Sequence, residues 1–286
     1  MTVPVNLNNH PPVQSTQPSN LLAVLGQLEV RLATSNEDIQ ACQNLRYRVF
    51  YQELDAKSTA ESCAAGLDAD GYDPVCSHLM VVDGQQVVGT YRLLRQEAVK
   101  PLTGFYSESE FDISPLLQNQ CAHRFMELGR SCVLKPWRTK RVVELLWQGI
   151  WNYARLHHVD VMFGCASLEG TDPEALAHQL SFLYHHQRAD LPWRAKARDE
   201  LYVNMNRVAK DLIDTRAVFK ELPPLIKGYL RLGAKVGDGA VIDHQFNTTD
   251  VLIVLPVAHI DPKYFSRFGA PSEKPDARNT KILSAA

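Results

Sequence analysis

The chain has 286 residues, 45% of them apolar, and a formal net charge of -2 at pH 7, a composition that suits one large or two small folded domains with a real core. No global positive charge draws it to nucleic acid, so an anionic partner has to be met locally, and the basic stretch from Lys135 to Arg141 is the place for it. Apolar runs such as residues 251–258 fall far short of the roughly 20 residues a membrane helix needs, and six scattered cysteines without a C-x-x-C pair fit a reducing cytoplasm.

Residues 1–27 begin polar and proline-rich, lack the basic start and apolar run of a signal peptide, and are expected to be a loosely ordered lead-in. Leu28-Glu-Val-Arg-Leu-Ala alternates as a strand, and the cap-type residues Thr34-Ser-Asn-Glu-Asp predict a helix over 37–52. An acidic loop, Gly66-Leu-Asp-Ala-Asp-Gly-Tyr-Asp-Pro, leads to strands over 78–82 and 86–94, with Asp83-Gly84 as the hairpin signal between them. After loop and a short helical piece over 100–121, a central strand covers 125–134 and stops at Pro136.

Val142, Val143, Leu146, Ile150, Trp151 and Tyr153 recur at the spacing of one helical face, predicting a helix over 139–157 that packs on a sheet. A buried-type strand over 159–165 and a helix from Asp172-Pro173-Glu174 to about 186 follow. Residues 187–222 read as a charged, helical insertion interrupted by Pro192. Pro223-Pro224 opens a short helix that Gly233 ends, and 240–246 pairs with 250–257 across an Asn-Thr-Thr turn. Residues 28–268 thus form a single domain, with 269–286 as a loose tail.

The central strand carries Glu127 and Arg130 on a half-buried pattern, so both need partners. Buried ionisable groups often mark working sites, and a structural ion pair is an equally good reading. No metal is expected, since Cys76-Ser-His78, His157-His158 and His185-His186 lack the spacing of a four-ligand site. Cys132 and Cys165 have no nearby histidine pattern that would make either a nucleophile.

This α/β (α+β) order resembles the Gcn5-related N-acyltransferase fold, a mixed central sheet flanked by helices, over about 28–257. Met126-Glu-Leu-Gly-Arg-Ser-Cys-Val, Leu146-Trp-Gln-Gly-Ile-Trp-Asn-Tyr and Phe246-Asn-Thr-Thr-Asp resemble the bacterial ornithine N-alpha-acyltransferases of ornithine lipid synthesis, once labelled hemolysin-like. Arg46, Phe50, Asp70, Asp73, Arg92, Glu127 and Arg130 are also spaced similarly to residues of acyl-homoserine lactone synthases. The tryptophan that family places ten residues after its first arginine is Ala56 here, which favours an open amino-acid acceptor.

The resemblance implies transfer of a (3-hydroxy)fatty acyl group from acyl carrier protein to the alpha-amino group of ornithine, giving lyso-ornithine lipid. Glu127 would be the general base, with Arg46, Asp70, Asp73, Arg92 and Arg130 either binding the substrate's charges or ordering the acidic loop as an ion-pair network. The backbone N–H groups of Val133 and Leu134 would meet the thioester oxygen. Acetyltransferases of the fold place Gln/Arg-x-x-Gly-x-Gly/Ala next, where bare backbone cradles a pyrophosphate. Here Arg141 and Val143 stand at the glycine positions of Arg138-Thr-Lys-Arg-Val-Val.

Arg138, Thr139, Lys140 and Arg141 are therefore expected to bind an acyl carrier protein donor, with acyl-CoA the weaker candidate and no permanently bound cofactor. A solvated helix start is the plain alternative. Leu145, Trp147 and Trp151 are candidates for an acyl slot or for core. The competing activities are a generic N-acyl amino acid or acyl-homoserine lactone synthase and a non-catalytic module that binds acyl chains or the carrier. A lipid-precursor product would imply peripheral contact with the inner membrane.

Overall fold

The first hairpin begins before Leu28. Leu21–Leu25 (β1) and Leu28–Leu32 (β2) pair antiparallel, and Leu22 and Ala23 are buried. The computed structural model describes residues 20–101, 103–264 and 269–270, so the expected lead-in is corrected at its end: residues 21–25 belong to the sheet, because Leu-Leu-Ala-Val-Leu gains more from burial than it loses on ordering. Residues 1–19 of that expectation, and all but two residues of the expected tail, lie outside the described residues.

Ser35 caps Asn36–Tyr47 (α1) by accepting from the Asp38 amide, and the chain then widens into a π-helical turn, Arg48–Glu53, instead of continuing as α-helix to residue 52. Ala60–Ala65 (α2) is short, capped by Thr59 and ended by left-handed Gly66. Ser77–Asp83 (β3) and Gln86–Arg95 (β4) form the expected hairpin. Phe111–Asp112 (β5) and Ser114–Asn119 (α3) precede the central strand Phe125–Val133 (β6), and Thr139 caps Lys140–Leu156 (α4). Val161–Glu169 (β7) runs four residues past the expected strand end.

Ala177–His186 (α5), Lys196–Ala197 (β8), Thr215–Glu221 (α6), Pro224–Leu232 (α7), Lys235–Val236 (β9), Val241–Asp243 (β10) and Thr248–Pro256 (β11) complete the chain. The insertion over 187–222 is mostly not helical. Outside α6 it is a ribbon of loop, two short 3-10 segments and the two-residue strand β8, tied to the sheet's far edge by backbone bonds, Ala189 N–H to Val236 O, Ala197 N–H to Asp238 O and Val203 N–H to Ala240 O, each 2.8 Å. The β10–β11 turn occupies 244–247, with Asn247 at φ 55, so Thr248 and Thr249 already belong to the strand.

The main sheet runs β1-β2-β3-β4-β6-β7-β11-β10, with β9 also on β11, and every pair is antiparallel except β6 with β7. Leu79 and Val81 of β3 pack in the cluster that holds α4, whereas Met80 and Val82 pack with Cys42 of α1, so the strand's alternation seats a helix on each face. Gly149 permits the approach of α4: a Cβ there would stand 2.7 Å from Val30 Cγ2. Val142, Leu145, Leu146, Ile150 and Tyr153 form the buried stripe, while Val143, expected in it, is 38% exposed.

Strands β6 and β7 hold together over only three pairs, Phe125 with Val161, Met126 with Met162 and Glu127 with Phe163. Beyond them they diverge. Residues 128–131 and 165–167 line the two sides of a cleft of about 260 Å³.

Candidate active site

The cleft follows from local backbone geometry. Gly129 faces Arg92 and Cys132 faces Thr90, leaving Arg130 and Ser131 together opposite Tyr91. This is a β-bulge, and Arg130 takes the left-handed backbone, φ 52, that such an extra residue can require. The Leu134 N–H is bonded to Val88 O at 2.9 Å, which corrects its expected role as a thioester donor. By the alternation of an antiparallel ladder, the Val133 N–H then points away from β4 toward the open side of β6.

The charged residues of the first helix, the acidic loop and the two central strands converge, as the loop-ordering expectation requires. Arg46, fully buried, donates from Nε to Asp68 Oδ2 at 2.7 Å and from Nη2 to both Asp73 oxygens at 2.9 Å. Arg92 Nη1 reaches Asp70 at 2.6 Å and Asp73 at 3.1 Å. Arg130 lies 3.3 Å from Asp68 and 3.4 Å from Asp70. Asp68, whose carboxylate also accepts from Tyr51 at 3.0 Å, is the member that sequence reasoning missed, although it stands in the same acidic loop.

His78 completes this cluster. Its Nε2 lies 3.0 Å from the Asp73 carbonyl and its Nδ1 3.5 Å from Arg46 Nη1, an arrangement that a neutral ring with the proton on Nε2 satisfies. Burial lowers its pKa in the same sense. Of the network only Arg92 and Arg130 line the cleft, so Arg46, Asp70 and Asp73 act on it through them.

Glu127 lines the cleft with its carboxylate already in use. Oε2 accepts the Tyr106 N–H at 2.8 Å, and Oε1 accepts the Ser107 N–H at 2.7 Å together with the Ser107 hydroxyl. Glu127 therefore anchors the turn over 105–109 across the mouth of the β6–β7 gap. Burial pushes its pKa up, and the donors from Ser107 and Tyr106 draw it back in part. The guanidinium of Arg130 lies over the rings of Tyr106 and Phe246, 4.8 and 5.0 Å from their centroids.

The opposite wall was not anticipated. Asp243 and Asp250 line the cleft, and Glu110 stands behind Cys165, whose Sγ is 3.4 Å from Glu110 Oε2. One ligand-type atom from each of Glu110, Cys165 and Asp250 lies within 4.8 Å of the others. Burial, then repulsion from Asp250, pushes Glu110 up to about 7, and burial pushes Asp250 up to about 6. Burial beside these acids pushes the Cys165 thiol well above its usual range, and burial also raises Cys132, so neither is poised as a thiolate. A lone acid opening the apolar run of β11 was the signal that could have marked Asp250.

The donor-side residues divide. Arg138 turns back on the fold, donating to Val133 O at 2.9 Å and to Glu53 at 2.5 and 2.8 Å. Thr139 accepts from the Val142 amide at 3.4 Å as the α4 cap. Lys140 and Arg141 are exposed at the same helix start. Leu145, Trp147 and Trp151 do not line the cleft: Leu145 and Trp151 are buried in the core, and Trp147 packs edge-on to Tyr229 at 5.1 Å. The apolar lining includes Phe50, Leu54, Ala56, Leu94, Leu128 and Leu225 instead.

Residues 45–148 match the acetyltransferase (GNAT) domain family. The chain is 52% identical over 261 residues to the L-ornithine N(alpha)-acyltransferase of Agrobacterium fabrum, covering 89% of each chain. It is 50% identical over 259 residues to that of Rhizobium meliloti, covering 88% of each, and 38% identical over 243 residues to that of Rhodobacter capsulatus, covering 82% of this chain and 92% of the relative. Among solved structures it is similar to FeeM, an N-acyl amino acid synthase from uncultured soil microbes, at 12% identity and a TM-score of 0.48 over 83% of this chain and 97% of that one.

Proposed function

Because the chain belongs to the L-ornithine N(alpha)-acyltransferase family, we propose that it moves a (3-hydroxy)fatty acyl group from a thioester to the alpha-amino group of L-ornithine, giving lyso-ornithine lipid. Identity of about half over nearly the full length of relatives so named is the observation that carries this reading. The β6–β7 cleft is where donor and acceptor would meet.

The amine nitrogen attacks the thioester carbon, the carbonyl oxygen becomes an oxyanion, and collapse expels a thiolate that takes up the proton lost by the nitrogen. An alpha-amino group has a pKa of about 8, so a fraction is neutral near pH 7, and a base must take one proton from the nitrogen as it becomes positively charged on attack. Glu127 is proposed for that transfer, directly or through a water. Its Oε2 carries a single donor and so retains a lone pair. The raised pKa makes it a stronger base than an ordinary carboxylate. The Val133 N–H is the proposed oxyanion donor, a contact worth roughly 3 to 4 kcal/mol in comparable sites.

Acyl carrier protein is the proposed donor. Arg141 and Val143 put side chains where a pyrophosphate needs bare backbone, and exposed Lys140 and Arg141 suit a single phosphodiester on an acidic protein surface. Ala56, which lines the cleft, leaves room for an open amino acid. An amphiphilic product would be released at the inner membrane face, by peripheral contact; no helix among the described residues is long and apolar enough to cross a membrane.

The test is to incubate the purified protein with acyl carrier protein or coenzyme A carrying saturated and 3-hydroxy chains, together with a panel of amino acids, and to identify products by mass. N-alpha-acylornithine is expected. No amide from any pairing would leave a non-catalytic binding module, and activity with coenzyme A thioesters alone would remove the carrier protein from the proposal.

A further inference from the structure

The acyl-transfer chemistry makes no use of the acids on the β11 side of the cleft. Arg46, Arg92 and Arg130 are matched by Asp68, Asp70 and Asp73, three cations against three carboxylates. Glu110, Asp243 and Asp250 have no such match, and among the described residues none of them is in a salt bridge. Their hydrogen bonds come from neutral groups. Asp250 accepts from the Thr248 hydroxyl at 2.8 Å, Asp243 from the Gln245 and Phe246 amides at 2.7 and 3.0 Å, and Glu110 from the Cys165 thiol.

Carboxylates buried side by side without a cation are costly, and the cost falls when a cation enters between them. A second observation lies across the same cleft. Arg130 lines that cleft from β6, its guanidinium lying over the rings of Tyr106 and Phe246. One cavity is thus lined by a guanidinium on one wall and, on the other, by Asp243 and Asp250, carboxylates that no side-chain cation bridges among the described residues. The complementary small molecule carries one carboxylate and a second, cationic group beyond its reacting amine.

We propose that Asp250, with Asp243, holds the side-chain ammonium of the acceptor amino acid while Arg130 meets its alpha-carboxylate and Glu110, behind Cys165, adds to the negative field, so that these residues select a diamino acid over a neutral one. An ammonium has three donors, and Asp243 and Asp250 both line the cleft to accept them. Gripping both ends of the acceptor leaves its alpha-amine as the free nucleophile. The assignment rests on the ornithine-acylation reading and adds the residues that make it specific.

The experiment compares L-ornithine with L-norvaline, which has the same carbon chain and no side-chain amine, in the unmodified protein and in Asp250→Asn, with one acyl donor throughout. The unmodified protein is expected to prefer ornithine by about 100-fold or more in kcat/KM. Asp250→Asn should shrink that ratio by about 30-fold or more, mainly through the KM for ornithine. An unchanged ratio overturns the assignment, as does an equal loss on both amines in a variant that melts where the parent does. Should Asp250→Asn fail to fold, half-buried Asp243→Asn carries the same comparison, and an unchanged ratio there overturns it. Acylation of neutral amino acids without ornithine would instead defeat the acceptor reading itself.

Discussion

The carbonyl oxygen of Leu128 stands 2.2 Å from the point that a Cβ on Gly164 would occupy. The two residues meet one step beyond the last parallel pair of β6 and β7, where the strands begin to part. Any side chain at 164 must push the strands away from each other or distort one of them. Gly164→Ala is therefore expected to lower stability by about 3 kcal/mol, read as a fall in the urea midpoint. A loss below about 0.5 kcal/mol, the range of a neutral surface change, would contradict so close an approach.

Arg46 is the hub on which the acidic loop hangs. Arg46→Met leaves Asp68 and Asp73 buried without their main cation, and such a half-broken pair costs about 3 to 5 kcal/mol. Arg46→Lys keeps the charge but cannot reach both carboxylates from one planar group, so it should recover only part of that loss. Thermal or urea unfolding of the two variants checks the order. Equal stability of both with the parent would mean the network contributes nothing.

Two variants separate the roles of Glu127. Glu127→Gln removes the proposed base and turns an N–H donor toward the amides of Tyr106 and Ser107, so kcat should fall about 100-fold or more. Ser107→Ala deletes the hydroxyl that donates to Oε1 but leaves Oε2 and both amides in place, at a cost of about 1 kcal/mol in stability. Steady-state kinetics should show most of the turnover kept in Ser107→Ala. Equal losses of kcat in the two would reduce Glu127 to an anchor.

Burial holds Asp250 at about 6 and Glu110 at about 7 in the folded chain, against about 3.9 and 4.3 when unfolded. Between pH 4 and 7 the folded state consequently binds more protons than the unfolded one at these positions. Their contribution to stability is full below about pH 4 and is lost as pH rises through 6 and 7. Asp250→Asn and Glu110→Gln should gain stability relative to the parent across that window, and added ornithine should stabilise the parent increasingly with pH. Asp38, which its ion pair with Arg31 holds at about 2, acts in the opposite sense, its contribution being lost on acidification below about pH 4. Melting temperatures against pH measure all of these.

Much of the scaffold was legible because its signals are local. The two-residue connection after Asp83, the apolar stripe of α4 and the Gly233 end of α7 each depend on a few neighbouring residues, and each element stands where expected. The β1 strand was missed because five apolar residues after a polar, proline-rich stretch carry no alternation, and only pairing with β2 makes them a strand. The Arg130 bulge depends on register against β4, which no single strand reveals. Glu110 comes from a loop far in sequence from the β10–β11 hairpin that carries Asp243 and Asp250, so their convergence is a product of topology. Of the two readings open for Trp147 and Trp151, acyl slot or core, the packing gives core, Trp151 buried and Trp147 half-buried against it.

Three rungs of parallel pairing are few for strands of nine residues each. Had β6 and β7 zipped along their whole length, the sheet would have gained further ladder bonds and the molecule would have closed over its own working space. A variant that extended the pairing past Gly164 should therefore be sturdier and inert. Selection for robustness and selection for turnover pull this one seam in opposite directions.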